Sequence, residues 1–223
     1  AVLGLVVLLC FWGIGDIPFL SVNEARRAVS AREMFESGQW LLPYMNGELY
    51  LTKPPLFNWL TLLPTQLLGA ATEWTLRLPS ALFALTSCAV VYGLGRRLGG
   101  RQAGLYAAMI LAANTGFSLF ARRAEIEMTL TGLSLLSLLA AWPYLFGQGG
   151  RRWVLLSFAL TGLCLLTKGP VCLLFVAAPL LAFAFLRQPR ARAYLCSVPG
   201  WLTALLIGGS WYLAGSLLLG WDI

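Results

Sequence analysis

Apolar residues in this chain are gathered into runs rather than scattered, at about residues 1–12, 77–95, 102–120, 128–146, 153–167, 170–186 and 195–219, with a shorter run at 55–69. A helix needs roughly 20 apolar residues to cross a hydrocarbon layer about 30 Å thick, so the longer runs predict about seven transmembrane helices. The short run suits a re-entrant or interfacial helix. Hydrophobic residues make up 59% of the chain and charged residues only 11%, too few polar groups to wet the surface of a soluble globule. The expected fold class is therefore an all-α integral membrane protein. The chain opens on Ala1-Val2-Leu3 without Met and ends Gly220-Trp221-Asp222-Ile223, which reads as a trimmed piece of a longer polypeptide.

The loops between the runs alternate in charge. Residues 95–101, 147–152 and 187–192 hold eight arginines and no acid. All nine acids lie in the other set, interleaved there with basic residues. Lone arginines in short loops mark the cytoplasmic side, which places the long polar loop 13–76 and residues 121–127, 167–170 and 220–223 on the periplasmic side. The net charge of +7 is dispersed over both sides without a continuous basic patch, which argues against nucleic acid and for membrane lipids as the partners of the cytoplasmic arginines.

Five cysteines lie in apolar runs without paired spacing and read as packing residues rather than disulfides or a zinc site. No histidine is present, so proton transfer and charge stabilisation must come from carboxylates, Lys and Arg. Carboxylates without histidine suit Mg²⁺ or Mn²⁺, although no ligand cluster has diagnostic spacing and no cofactor is specified.

Within loop 13–76, residues 21–38 predict an amphipathic juxtamembrane helix of about four turns, with Ser21 or Asn23 as cap, Ser21 and Glu24 at capping-box spacing and Gly38 as the stop. Helical spacing puts Asn23, Arg26, Arg27, Ser30, Glu33 and Ser37 on one polar face. A solvated interfacial helix explains these charges equally well. Further on, Asn46-Gly47 signals a turn, and Pro54-Pro55 holds Lys53 at the mouth of an apolar run, where it can pair with an anionic headgroup or merely snorkel.

The run Asn23-Glu24-x-Arg26 through Arg32-Glu33-Met34, then Ser37-Gly38-x-Trp40, Pro43, Asn46-Gly47, Tyr50 and Lys53-Pro54-Pro55-Leu56, resembles glycosyltransferase family 39. That family has the GT-C fold and includes lipid A aminoarabinose transferases and protein O-mannosyltransferases. Arg77-Leu-Pro-Ser80, Gly95-Arg-Arg-Leu98, Ala121-Arg122 with Glu127-Met128, Leu166-Thr-Lys-Gly-Pro170 and Ser210-Trp-Tyr212 continue the likeness in order.

The resemblance implies that residues 1–223 form the N-terminal transmembrane part of a GT-C-type domain, with 13–76 as its first periplasmic loop carrying juxtamembrane helices. It also implies transfer of a sugar, with the inversion usual in the family, from a polyprenyl-phosphate carrier to a lipid A, glycan or protein acceptor at the periplasmic face of a bacterial inner membrane. By the match, Lys53 would hold the donor phosphate, Glu24 belongs to the family's Asp-Glu motif, and Glu127 takes the second acidic position. Arg26, Arg27, Tyr50, Thr52, Arg123 and Lys168 would line the substrate region, Lys168 as a second phosphate contact or as a snorkelling residue at a helix break. The departures are Asn23 for the family's Asp, Thr52 for Glu, Arg27 for Tyr and Glu127 for Asp. Asn23 cannot accept a proton, so the base falls to Glu24 or Glu127, unless the acceptor arrives ionised. A catalytically impaired relative that binds lipid-linked sugar or a partner enzyme is the alternative. A transporter fits less well, because neither an internal repeat nor a mid-span acid is present.

Overall fold

The computed structural model describes residues 2–185 and 189–220. Arg187 of the third arginine loop and Asp222 of the last polar segment lie outside the described residues. The chain forms two compact units, Ala1–Gly132 and Leu133–Ile223.

In the first unit, α1 (Val2–Phe11) leads through a turned segment to α2 (Val22–Ser37), and a two-stranded antiparallel ladder, β1 (Tyr44–Met45) and β2 (Glu48–Leu49), precedes α3 (Leu56–Leu68). This ladder is the departure from an all-helical chain among the described residues. Next come α4 (Glu73–Ala113), α5 (Thr115–Ala121) and α6 (Ile126–Leu145), the unit boundary falling within α6. The helix α4 is continuous only in name. Gly99 and Gly100 leave helical geometry, Gly100 at φ 80°, and the helix doubles back on itself. A Cβ on Gly95 would lie 2.8 Å from the Gly104 Cα. Nine residues of straight helix would instead separate the pair by about 13 Å. The break falls between the apolar runs 77–95 and 102–120. Val6, Cys10, Ala84, Cys88, Ala108, Ala112, Ala121 and Met128 form the core that these limbs share with α1, α5 and α6.

The second unit repeats the device. It contains α7 (Arg151–Lys168), a 3-10 turn at Gly169–Val171, α8 (Cys172–Phe185), α9 (Pro189–Leu195) and α10 (Val198–Leu219). Phe158 and Val154 of α7 pack against Val176 and Leu180 of α8, which requires reversal at the turn, where Gly169 has φ 69°. The helix α10 lies on α7 through small residues, since a Cβ on Gly162 would meet the Ala204 carbonyl oxygen at 2.9 Å and one on Gly208 the Gly162 carbonyl oxygen at 3.2 Å. Buried hydroxyls join the bundle: Ser137 Oγ donates to the Ser157 carbonyl at 2.9 Å, and Ser157 Oγ lies 2.6 Å from the Tyr194 hydroxyl.

Among the described residues four stretches are long and apolar enough to cross a membrane, Glu73–Ala113, Ile126–Leu145, Arg151–Ala182 and Val198–Leu219, and the first and third contain the two reversals. Cys10, Cys88, Cys164 and Cys172 are buried as expected of packing residues, whereas Cys196 is exposed in the turn between α9 and α10.

Candidate functional site

The polar segment of the first unit is assembled around α2. Ser21 is the cap, its Oγ accepting from Glu24 N at 3.0 Å, and Gly38 ends the helix at φ 69°, both as their residue types dictate. The other half of the expected capping box does not form, because Glu24 turns inward and is fully buried. Its Oε1 accepts from Arg77 Nε at 2.7 Å and from Ala124 N at 2.9 Å, and its Oε2 accepts from Leu20 N at 3.2 Å. The remaining Arg77 donors reach the carbonyls of Ile14, Ile17 and Pro18 at 2.8, 2.6 and 3.1 Å. This buried pair joins the α1–α2 segment, α2, α4 and the stretch of chain before α6. Beneath it Ala28, Ala31, Phe57, Leu76, Ala124 and Ile126 form a small core. Ser30, expected on the polar face, is buried as well and accepts from Asn58 Nδ2 of α3 at 3.1 Å. The face toward α3 is thus wider than the pattern of apolar residues alone suggests.

Glu33 positions the loop that follows. Its carboxylate accepts from Asn46 N at 2.6 Å and Gly47 N at 3.2 Å, holding a hairpin turn in which Asn46 and Gly47 both have positive φ, 56° and 78°. Asn-Gly tolerates that geometry, and the resulting turn twists with the flanking strands. Tyr50 N donates to the Pro43 carbonyl at 2.8 Å, extending the pairing up to the segment that carries Lys53. The indole of Trp59 donates to the Trp40 carbonyl at 2.5 Å and closes the base of the loop against α3. An apolar groove of about 480 Å³, lined by Trp40, Leu41, Leu56, Trp59, Leu60 and Leu63, runs along α3 and begins three residues past Lys53.

Arg27 is where the site's charges meet. It is half-buried, its guanidinium 5.9 Å from the centre of the Tyr50 ring. Burial lowers its pKa, while Tyr50, Glu127 and Glu125 pull it back up. Glu125 is buried; its Oε1 accepts from Ser21 Oγ at 2.8 Å and lies 3.9 Å from Arg123 Nη1. Of the expected residues, the structure thus sets Arg27 beside Tyr50, within electrostatic reach of Glu127, and sets Arg123 beside Glu125. Asn23, Arg26 and Thr52 are exposed, Lys53 is half-buried and forms no ion pair among the described residues, and Lys168 is half-buried at the end of α7 in the second unit.

Glu125 and Arg77 escaped the expected set. Both sit in motifs visible in the chain, but only the fold shows that they face residues 104 and 53 positions away. Among the described residues no group of three or more Asp, Glu or Cys converges to hold a metal ion. Chemically, the cluster offers a guanidinium held in a protein wall beside carboxylates, a setting that can bind a phosphate and orient a hydroxyl or phosphate nucleophile.

Residues 52–210 match the family described as dolichyl-phosphate-mannose-protein mannosyltransferase. The chain is 32% identical over 209 residues to an uncharacterized protein of Aquifex aeolicus, covering 93% of this chain and 42% of that one. It is 27% identical to undecaprenyl phosphate-alpha-4-amino-4-deoxy-L-arabinose arabinosyl transferase 2 of Proteus mirabilis, covering 86% of this chain and 35% of the relative. The crystal structure of ArnT from Cupriavidus metallidurans bound to undecaprenyl phosphate superposes with a TM-score of 0.85 at 27% identity, over 97% of this chain and 41% of that one. The chain therefore spans about two fifths of the length of these relatives.

Proposed function

Because the chain belongs to the dolichyl-phosphate-mannose-protein mannosyltransferase family, we propose that it is the N-terminal part of a membrane glycosyltransferase. It transfers a sugar from a polyprenyl-phosphate carrier to a lipid, glycan or protein acceptor at the periplasmic face of a bacterial inner membrane. The observation that carries this reading is the meeting of Arg27, Tyr50, Glu127 and Glu125 at the foot of a loop whose next basic residue is Lys53. Arabinosyl transferases acting on an undecaprenyl phosphate sugar stand among the relatives, and the ArnT of the same fold was crystallised with undecaprenyl phosphate bound.

In the proposed reaction an acceptor oxygen attacks the anomeric carbon, the bond from that carbon to the carrier phosphate breaks, and the electron pair leaves on the phosphate. Lys53 neutralises the departing phosphate, and the groove along α3 seats the isoprenoid chain behind it. The Glu127 carboxylate takes the proton of a hydroxyl acceptor; an acceptor phosphate needs no such step. Glu24 is already held by three donors, which leaves it to position α2. Arg27 stands where the resemblance expects a tyrosine and adds a fixed positive charge to the substrate wall.

Seven crossings suit this scheme: α1, the two limbs of α4 with α5 completing the second, α6, α7, α8 and α10, with α2 and α3 as juxtamembrane helices. The reversals at Gly99-Gly100 and Gly169 support it, since each turns one long apolar stretch into two.

The test uses full-length protein in proteoliposomes with a polyprenyl-phosphate sugar. Lys53→Ala and Glu127→Gln should each lower the transfer rate by about 10²-fold or more. Wild-type rates in both variants would sink the assignment. Donor binding without any product, even by the wild type, would instead favour the impaired relative.

A further inference from the structure

A second cationic pocket lies in the first unit, and of the residues named above it shares only Glu24, Arg77 and Arg123. It is a cavity of about 100 Å³ whose charged wall is Glu24, Arg77, Arg122 and Arg123, completed by Trp12, Ile17, Leu20 and Leu119. Neither Lys53, Arg27 nor Glu127 contributes to it. Three arginines and one glutamate therefore line a space large enough for a few water molecules.

The charges in that wall do not cancel. Arg77 uses Nε on Glu24 and its terminal nitrogens on three carbonyls, so four of its five donors are engaged. The Glu24 oxygens are shared among three donors and offer nothing to the remaining arginines. Among the described residues Arg122 engages only Nε, on the Ser118 carbonyl at 3.1 Å, which leaves four N–H donors of its fork without a partner there. Arg123 has one acidic ion-pair partner among the described residues, Glu125, at 3.9 Å, too long for a hydrogen bond. Asp16, the acid on the α1–α2 segment, is exposed and does not line the space, and neither does Glu127. The pocket is thus a preformed hole for an oxyanion, with two arginines of spare donor capacity.

The rest of its wall says what the oxyanion is attached to. Trp12 and Leu20 are both 68% exposed, beside Ile17 at 47%, on the segment that leaves the apolar helix α1. An indole and two aliphatic side chains standing free next to a membrane-embedded helix belong at the lipid boundary, where such residues meet acyl chains below and headgroups above.

We propose that this pocket binds the phosphate of a membrane phospholipid, with Arg122 and Arg123 gripping the phosphate oxygens and Trp12, Ile17 and Leu20 contacting the glycerol and upper acyl chains. The site is separate from the donor phosphate contact at Lys53. It would tether the α1–α2 segment, and through Glu24 the base of α2, to the membrane surface.

Binding is measured by native mass spectrometry of full-length protein in detergent, titrated with dioctanoyl phosphatidic acid, dioctanoylglycerol or inorganic phosphate. The Lys53→Ala background removes the contact proposed for the donor, so this result is independent of the transferase reading. Phosphatidic acid should bind and dioctanoylglycerol should not. Arg122→Gln should weaken phosphatidic acid binding about tenfold or more, with Arg122→Lys between it and the parent. Leu119→Trp fills the cavity while leaving every arginine in place; it should lose the lipid equally, and it decides the matter if Arg122→Gln does not fold. Parent-like affinity in Leu119→Trp, or inorganic phosphate binding as tightly as phosphatidic acid, would overturn the lipid site.

Discussion

Arg77 and Glu24 illustrate how a single pair can set the geometry of a loop. Their side chains are 3% and 1% exposed, and between them they bind five backbone groups, four on the α1–α2 segment and one before α6. Removing Arg77 strands a buried carboxylate, so Arg77→Ala should cost about 3–5 kcal/mol in unfolding free energy, read as a lowered denaturation midpoint in detergent. Asn23 is the contrasting residue. It is exposed on α2, and Asn23→Asp should change stability by no more than about 0.5 kcal/mol. Its effect on transfer by full-length protein then reports chemistry alone: a gain would show that the family's acid still has a place to act, and an unchanged rate would show that the Glu127 region has replaced it. At this scale the caps were legible, because Ser21 and Gly38 act on their own neighbours. The inward turn of Glu24 was not, because its partner Arg77 lies 53 residues away and spacing within a helix carries no information about such a partner.

At the scale of elements, the reversal within α4 depends on glycine for two different reasons. Gly100 supplies a positive φ that bends the chain, whereas Gly104 supplies room: a Cβ there would meet the Tyr92 carbonyl oxygen at 2.6 Å and Arg96 N at 2.9 Å. Both obstacles are backbone and cannot rotate away. Gly104→Val should force the limbs of α4 apart and destabilise the protein by about 1–3 kcal/mol. Gly93, on the same helix, has nothing within 4 Å of the position a Cβ would take, so it should accept alanine and gain about 0.5–1 kcal/mol from the stiffer helix. Thermal unfolding of the two variants side by side checks both signs. The apolar runs 77–95 and 102–120, with the arginine loop between them, located these limbs in the sequence. The hairpin 44–49 was only a turn signal there, since two-residue strands are too short to show alternation.

Across the whole molecule, the segregation of acids from lone arginines makes a prediction about sidedness. With the native cysteines replaced, a single cysteine at Glu48 should react with a membrane-impermeant maleimide only from the periplasmic side. One at Gln148, in an arginine loop, should react only from the cytoplasmic side. Native Cys196, exposed beside α9, should behave like Gln148. Labelling of Glu48 and Gln148 from the same side would reject the seven-crossing arrangement. The membrane class followed from composition and run length, which are sums over many residues and tolerate local error. The site did not follow as directly, because it depends on a few side chains turning toward partners far along the chain.

One carboxylate, Glu33, grips two successive amides at the tip of the 44–49 hairpin. Mechanically, this makes the hairpin and α2 a single bracket, bolted to α4 at its other end by Glu24 and Arg77. A pull on the Lys53 segment would then be carried along α2 as a load into the membrane-embedded helices, instead of being absorbed by slack in a loose loop.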